Sequence, residues 1–130
     1  LDDGEVWCWG VSQAAFGTGE VDTTPILAPV HVPLLSSYLD VSLQATPCGL
    51  LPSGVVQCWG GTWGAIPGVW NGIVGPTTID LPGTARDFAI TFSRGCAMLM
   101  TGAVWCWGDT NEGPIGTGTN GAVPAPVLGW

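Results

Sequence analysis

The sequence predicts an all-β fold made of repeated units, and three observations lead to this prediction. Glycine accounts for 21 of the 130 residues and proline for 11, a composition typical of chains with many turns. The pattern Gly-x-Val-x-Cys-Trp-Gly begins at Gly4 and returns at Gly54 and Gly102, about 50 residues apart each time. Between the copies there is no apolar pattern of helical period and useful length.

The second and third copies are predicted to be the second strands of β-hairpins. Cys48-Gly49-Leu50-Leu51 precedes one copy, and Cys96-Ala97-Met98-Leu99 precedes the other. The connecting loops are short and end in Gly54 and Gly102. Glycine enters the left-handed backbone region that closes such a loop without steric cost.

The register of these hairpins predicts two disulfides. It puts Cys48 opposite Cys58 and Cys96 opposite Cys106. Directly opposed residues at a non-hydrogen-bonded position have Cα atoms about 4.5 Å apart, which a disulfide tolerates. The alternative is that all the cysteines are reduced and buried in an intracellular protein. Zinc is disfavoured, because the sequence has no Cys-x-x-Cys pair and its one histidine, His31, lies in a proline-flanked stretch.

The remaining cysteine, Cys8, has no predicted partner in the chain. With residues 2–4 as a hairpin turn, the position opposite Cys8 falls before Leu1. We therefore expect a truncated repeat, whose partner cysteine lies outside the chain, an intermolecular bond or a free thiol. No basic segment followed by an apolar one opens the sequence, so we expect any targeting segment to have been removed.

Short strands are predicted to fill the rest of each repeat. Residues 39–43 and 88–92 alternate between large apolar and smaller residues, as half-buried strands do. Four short antiparallel strands in about 50 residues describe a blade of a β-propeller. We predict a single repeat array over residues 1–130, with a partial blade at 1–33, a blade at 34–81, and a blade plus the start of the next at 82–130. Two to three blades are an incomplete propeller, since closure needs at least about 4.

Several motifs recur together: Cys-x-Leu-Leu or Cys-x-Met-Leu, a turn ending in Gly, Val-x-Cys-Trp-Gly, Gly-Thr-Gly, and Pro-x-Val or Pro-Val. In this combination the chain resembles the regulator of chromosome condensation (RCC1) repeats, in their cysteine-containing bacterial and extracellular form. The resemblance implies a β-propeller. The middle repeat departs from it, because a Trp-rich segment that we interpret as a loop, residues 62–70, replaces Gly-Thr-Gly.

Charge excludes some classes of partner. The chain has ten acidic residues and only two basic ones, Arg86 and Arg94, which gives a net charge of −8. This charge would repel a phosphate backbone, so we expect no nucleic-acid binding. We also expect no membrane span, because the longest apolar stretch, residues 25–35, is broken by Pro29, His31 and Pro33.

No set of catalytic residues is found, and we expect a protein that is not an enzyme and has no cofactor. Asp2, Asp3 and Glu5 flank a predicted turn, where acidic residues are common. No Gly-x-Ser-x-Gly motif accompanies any serine. Asp109, Asn111 and Glu112 offer oxygen ligands for calcium, but the equivalent loops carry no such set, so we expect a turn and no metal.

Tryptophan is the remaining signal, and its residues fall into two groups. One group recurs at a single position of the repeat and is predicted to pack between blades: Trp9, Trp59 and Trp107. The other group does not recur and comprises candidates for contact with a sugar, a partner or a neighbouring subunit, with gap filling between blades as an equal alternative: Trp63, Trp70 and Trp130.

These features together predict a non-enzymatic, extracellular structural or interaction module. It either self-associates through open blade faces, as a ring or a filament, or is a slice of a longer propeller. The expected partners are therefore copies of itself or the remainder of a longer chain. The alternative is a lectin-like propeller that binds a carbohydrate or a protein, and nucleotide exchange on a small GTPase, which the resemblance suggests, is a remote alternative.

Overall fold

The computed structural model describes residues 4–11, 24–32, 37–109, 115, 117 and 123–129, and of residues 62–64, 70, 71 and 73 it describes the backbone alone. This part of the chain is all-β. Its strands are β1 (Trp7–Val11), β2 (Pro25–His31), β3 (Asp40–Ser42), β4 (Cys48–Leu50), β5 (Val56–Ile66), β6 (Val69–Thr78), β7 (Ala85–Ile90), β8 (Arg94–Leu99), β9 (Val104–Gly108) and β10 (Ala125–Pro126). None of the described residues forms a helix of the length and apolar character that crossing a membrane takes.

The strands form three antiparallel sheets in chain order. The first sheet pairs β1 with β2, the second has the order β3-β4-β5-β6, and the third has the order β7-β8-β9-β10. In the two four-stranded sheets each strand lies beside its neighbours in sequence, as in a propeller blade. The predicted blade architecture is confirmed, while the exact bounds of the repeat units stay a prediction.

Both predicted hairpins are present, with the predicted register. Cys48 lies opposite Cys58 and Cys96 opposite Cys106. Gly54 and Gly102 close the two loops at φ angles of 80° and 88°, and each donates its N–H to the carbonyl three residues earlier. The local turn chemistry therefore fixes which residues face each other across the hairpin.

The Trp-rich segment is not a loop, and this prediction was wrong. Residues 62–70 belong to a long hairpin in which β5 and β6 extend to 11 and 10 residues and turn at Pro67 and Gly68. Gly68 has a φ angle of 75°, which suits a tight turn. Cross-strand pairing over the length of this hairpin overrides the loop-like composition.

Two strands are shorter than their alternating sequences predicted. β3 covers only residues 40–42, and Leu39 and Leu43 are exposed. β7 ends at Ile90, so Phe88 and Ile90 are buried whereas Phe92 is exposed. Alternation alone did not show where pairing with the next strand ends.

In the last strand of each sheet, a proline directly precedes the residue that faces a cysteine. Val30, Thr77 and Ala125 lie opposite Cys8, Cys58 and Cys106. The preceding residues are Pro29, Pro76 and Pro124. Pro29-Val30 therefore corresponds to Pro124-Ala125 and not to the more similar pair Pro126-Val127. Proline is tolerated here because an outer strand has a free edge.

Two cores join the three sheets. The larger one lies between the second and third sheets and includes Cys48, Cys58, Phe88, Ile90 and Trp107. The smaller one lies between the first and second sheets, where Val32, Tyr38 and Trp59 are buried against Cys8 and Ile26. In both cores the cysteine side of one sheet faces the tryptophan side of the next.

Candidate functional site

The candidate site is the set of sheet faces, and Trp107 shows how two faces fit together. Its side chain is fully buried, and its indole Nε1–H donates a 2.8 Å hydrogen bond to the carbonyl oxygen of Ala65 in the second sheet. Gly95 lies opposite Trp107 in β8 and leaves room for the ring. A tryptophan at this position therefore packs on its own sheet and bonds to the preceding one.

Trp59 occupies the equivalent place in the second sheet and is also fully buried. Its ring stacks on that of Tyr38, with the centroids 5.3 Å apart. The hydroxyl of Tyr38 donates a 2.8 Å hydrogen bond to Oε1 of Gln57. Burial raises the pKa of Tyr38 to about 12. Sequence reasoning did not single out Tyr38, because it occurs once and belongs to no repeated motif.

Trp9 does not pack between the described sheets, so its predicted packing role stays a prediction. It is 66% exposed, whereas Trp59 and Trp107 are both at 0%. The physical reason is its direction: Cys8 faces the second sheet, so Trp9, one residue further along the strand, points away from it. No other described sheet lies on that side of the first sheet.

The side of the first sheet that bears Trp9 forms an exposed apolar surface, which we call the open tryptophan face. Trp7, Trp9, Val11 and Leu27 are 41%, 66%, 60% and 93% exposed, respectively. The Trp7 ring lies 5.4 Å from that of His31, and its indole N–H donates to Oε2 of Glu5. Exposed apolar clusters of this kind mark interaction surfaces in soluble proteins.

The opposite end of the array presents the other kind of face. On the cysteine side of the third sheet Cys96, Met98 and Val104 are half-buried and Cys106 is buried, and no described sheet covers this side. We call it the open cysteine face. It corresponds to the side of the second sheet that the third sheet covers.

Both predicted disulfides are formed, and this prediction is confirmed. Cys48 is bonded to Cys58 and Cys96 to Cys106, with Cα atoms 4.0 and 4.1 Å apart. Cys8 is a free, half-buried thiol, and burial raises its pKa. The chemistry of Cys8 is therefore that of a small apolar residue rather than of an activated nucleophile.

The non-recurring tryptophans are only partly placed. The backbones of Trp63 and Trp70 lie opposite each other in the β5–β6 hairpin. Their side chains and the whole of Trp130 are outside the described residues. Their predicted contact role stays a prediction.

The residue two positions before the first cysteine of each hairpin has a shared role that the sequence did not reveal. The Thr46 hydroxyl donates a 2.8 Å hydrogen bond to the carbonyl oxygen of Gly61. Arg94 Nε donates a 2.8 Å hydrogen bond to the carbonyl oxygen of Asp109. Both bonds hold the chain just after the Cys-Trp-Gly segment. Threonine and arginine share no chemistry beyond donation, so sequence comparison alone would not link them.

Metal-ligating side chains do not assemble within the described part of the chain, where no three His, Cys, Asp or Glu residues lie close together. Asp109 contributes its backbone carbonyl to Arg94. Asn111, Glu112, Asp2 and Asp3 lie outside the described residues.

The arrangement of sheets is similar to that in solved RCC1-type structures. Human WBSCR16 matches with a TM-score of 0.74 and 20% identity over 96% of this chain. The structure of Kap60 bound to yeast RCC1 (Prp20) matches with a TM-score of 0.75 and 16% identity over 98% of this chain. Prp20p from Saccharomyces cerevisiae, described with its binding to Gsp1p and histones, matches with a TM-score of 0.68 and 16% identity over 95% of this chain. This chain spans about a third of their length: 35%, 34% and 34%.

These likenesses concern the fold, since identity does not exceed 20%. No protein-family model matches the sequence, and no curated protein matches it. The repeat motifs, the strand order and the structural matches agree with one another. The described chain therefore has the fold of part of an RCC1-type β-propeller.

Proposed function

We propose that the protein is a non-enzymatic, extracellular structural or interaction module that works through its open blade faces. These faces are covered either by further blades of a longer chain or by copies of the same chain, in a ring or a filament. The observation that carries the proposal is the contrast between Trp9, which is 66% exposed, and the fully buried Trp59 and Trp107.

The two internal cores indicate what each open face can accept. In both of them a cysteine side packs on a tryptophan side. The array presents one face of each kind, so the open cysteine face of one copy has the apolar character that the open tryptophan face requires. A head-to-tail contact of this type continues as a ring or as a filament.

The edge of the first sheet offers a further contact. Among the described strands, β5 and β9 each lie between two others, whereas β1 lies beside β2 alone. The other edge of β1 is therefore a place where an added strand can pair.

An extracellular location is supported by the two disulfides, because such bonds persist in oxidising compartments. Peptide mapping without reduction tests this point on protein from its natural source. Finding Cys48 joined to Cys58 and Cys96 joined to Cys106 supports the location, and reduced cysteines throughout would contradict it.

The self-association is tested by two masses: that of the denatured, unreduced chain and that of the native particle by light scattering. A chain of 13.4 kDa in a much larger particle supports assembly from copies. A single chain of several hundred residues means that further blades cover the open faces, as in the other form of the proposal. A monomeric 13.4 kDa chain with no partner contradicts both.

A matched pair of variants tests the face itself. Trp9 and Met100 are both 66% exposed, but Met100 lies in the β8–β9 turn rather than on the open tryptophan face. We expect Trp9→Gln to lower the mass of the native particle and Met100→Gln to leave it unchanged. Equal effects would show that general surface hydrophobicity, not the face, drives assembly.

Binding of a carbohydrate or protein through the β5–β6 hairpin is the second candidate. The register that places Trp63 opposite Trp70 favours it, since two facing aromatic residues offer a stacking surface. Replacing both with Ala should abolish ligand binding and leave assembly intact. Nucleotide exchange on a small GTPase stays the remote alternative, because a shared fold does not carry an activity.

A further inference from the structure

A cleft between the second and third sheets lies away from both open faces. It has a volume of about 510 Å³ and is bounded by the β5–β6 turn, the connection from β6 to β7, and β9. Clefts of this size hold small ligands or single side chains of a partner. What it binds is independent of how the open faces are covered.

Trp105 forms one wall of the cleft and is half-buried. Its indole N–H has no hydrogen-bond partner in the part of the chain that the structure describes. The equivalent residues in the other sheets are engaged: Trp7 donates to Glu5, and Gln57 bonds to Tyr38 and Thr78. Trp105 is thus the member of this repeat position whose polar group and ring are available.

Asp80 lies on the rim of the same cleft and is exposed. Among the described residues, its carboxylate has neither an ion pair nor a hydrogen-bond partner. Because the chain carries a net charge of −8 and no lysine, an anion would be repelled here. The carboxylate is the one full charge on the described residues that line the cleft.

The rest of the lining is mostly aliphatic and includes Ile66, Leu81 and Pro82. The hydroxyl of Thr77, which also lines the cleft, already donates to the carbonyl oxygen of Gly75. A sugar ring needs several polar partners, and this cleft supplies few. An apolar stem that ends in a cation matches the lining better.

We propose that this cleft binds a guanidinium group on an alkyl stem, as in an arginine side chain of a partner. The planar guanidinium can stack on the indole of Trp105 and pair through two N–H groups with the Asp80 carboxylate. A guanidinium is more weakly hydrated than an ammonium ion, so it loses less hydration free energy when it lies against the aliphatic walls. The stem lies along those walls.

The test follows the ¹⁵N indole resonances of the whole chain during titration with Ac-Gly-Ser-Arg-Ser-Gly-NH₂. Trp105→Phe identifies the Trp105 resonance. We expect that resonance to shift with the arginine peptide and not with the same peptide carrying citrulline, which is neutral and of the same shape. Butylguanidinium serves as the free source of the head group. If butylguanidinium shifts the Trp105 resonance as the peptide does, the head group is sufficient for recognition. If only the arginine peptide shifts this resonance, the partner is a peptide.

A pair of acidic variants isolates the carboxylate. Asp80→Asn should weaken binding about tenfold, since it removes a charge-assisted pair. Asp87→Asn removes one negative charge outside the cleft and keeps an oxygen that accepts the hydrogen bond from the Phe88 N–H. The affinity of this variant for the arginine peptide should be unchanged. The spectrum of each variant shows whether it is folded.

The proposal is overturned if the citrulline peptide binds as well as the arginine peptide, or if the two acidic variants behave alike. It is also overturned if the resonances that shift belong to tryptophans other than Trp105. No shift with either guanidinium probe would leave the cleft as a gap between blades.

Discussion

Gly95 determines whether Trp107 can lie flat on its own sheet. A Cβ atom at position 95 would overlap the Trp107 indole and the Ile90 side chain. The indole is fixed from the other side by its 2.8 Å bond to Ala65. The ring therefore has no room to move aside, and the fit of one side chain controls the contact between two sheets.

Gly95→Ala should lower the free energy of unfolding by about 1–3 kcal/mol, the usual cost of overpacking a core. Gly83→Ala is the matched control, because its Cβ would meet only Leu99 Cδ1 at 3.8 Å, an ordinary contact. Urea unfolding of both variants measures the difference. Equal midpoints would show that the core between the second and third sheets is looser than the structure indicates.

Tyr38 is the single tyrosine of the chain, so its ionisation can be followed directly by absorbance at about 295 nm. Burial raises its pKa from 10.0 to about 12 in the folded protein. The neutral phenol is thus favoured by folding, and its contribution to stability is present below pH 10 and is lost as the pH rises towards 12.

We expect the phenolate signal of the native protein to appear near pH 12, and that of the urea-denatured chain near pH 10. Unfolding midpoints in urea should fall between these two values, in addition to a decline that begins near pH 9, where the raised pKa of the half-buried Cys8 thiol starts to act. A native midpoint near 10 would mean that the Tyr38–Trp59 stack is open in solution.

The second and third sheets have the same strand order, but their disulfides differ in how much they are exposed. Cys48 and Cys58 are both fully buried, because the third sheet packs on them. On the open cysteine face Cys96 is half-buried, while its partner Cys106 is 3% exposed, so a thiolate has access through Cys96. Access governs how fast a thiolate attacks a disulfide. The two disulfides lie in similar hairpins, but a thiol reductant should therefore reduce them at different rates.

Limited treatment of the isolated chain with a thiol reductant should open Cys96–Cys106 before Cys48–Cys58. Alkylation followed by peptide mass analysis measures the order, and Cys8 provides the reference for a thiol that is free from the start. Loss of each bond should cost about 2–3 kcal/mol of stability on loop-entropy grounds. Simultaneous reduction would indicate that both open only on global unfolding.

The hairpins show where sequence reasoning succeeds at the level of elements. A short loop ending in Gly54 or Gly102 leaves one register, so the cysteine pairs could be predicted from local chemistry. The β5–β6 hairpin could not, because its pairing depends on contacts along two long strands whose composition resembles a loop. The exposure of Trp9 among the described sheets could not be read from the repeat alone, since a repeated residue does not always have a repeated neighbour.

The whole molecule depends on contacts that no single repeat contains. The Trp107–Ala65 bond joins the third sheet to the second, and Cys8 of the first sheet packs against the core that holds Trp59 of the second. Periodicity predicted that blades exist and that their faces must be covered. It did not predict the cleft that holds Trp105 and Asp80, because the cleft arises only when two sheets lie side by side.

The prolines of the outermost strands have a consequence for the molecule in concentrated solution. Pro29, Pro76 and Pro126 lie in β2, β6 and β10 and have no N–H to offer. A sheet edge interrupted in this way is a poor template for a foreign strand, so the rim resists amyloid-like stacking. The outer rim of the three described sheets is thereby protected against strand addition.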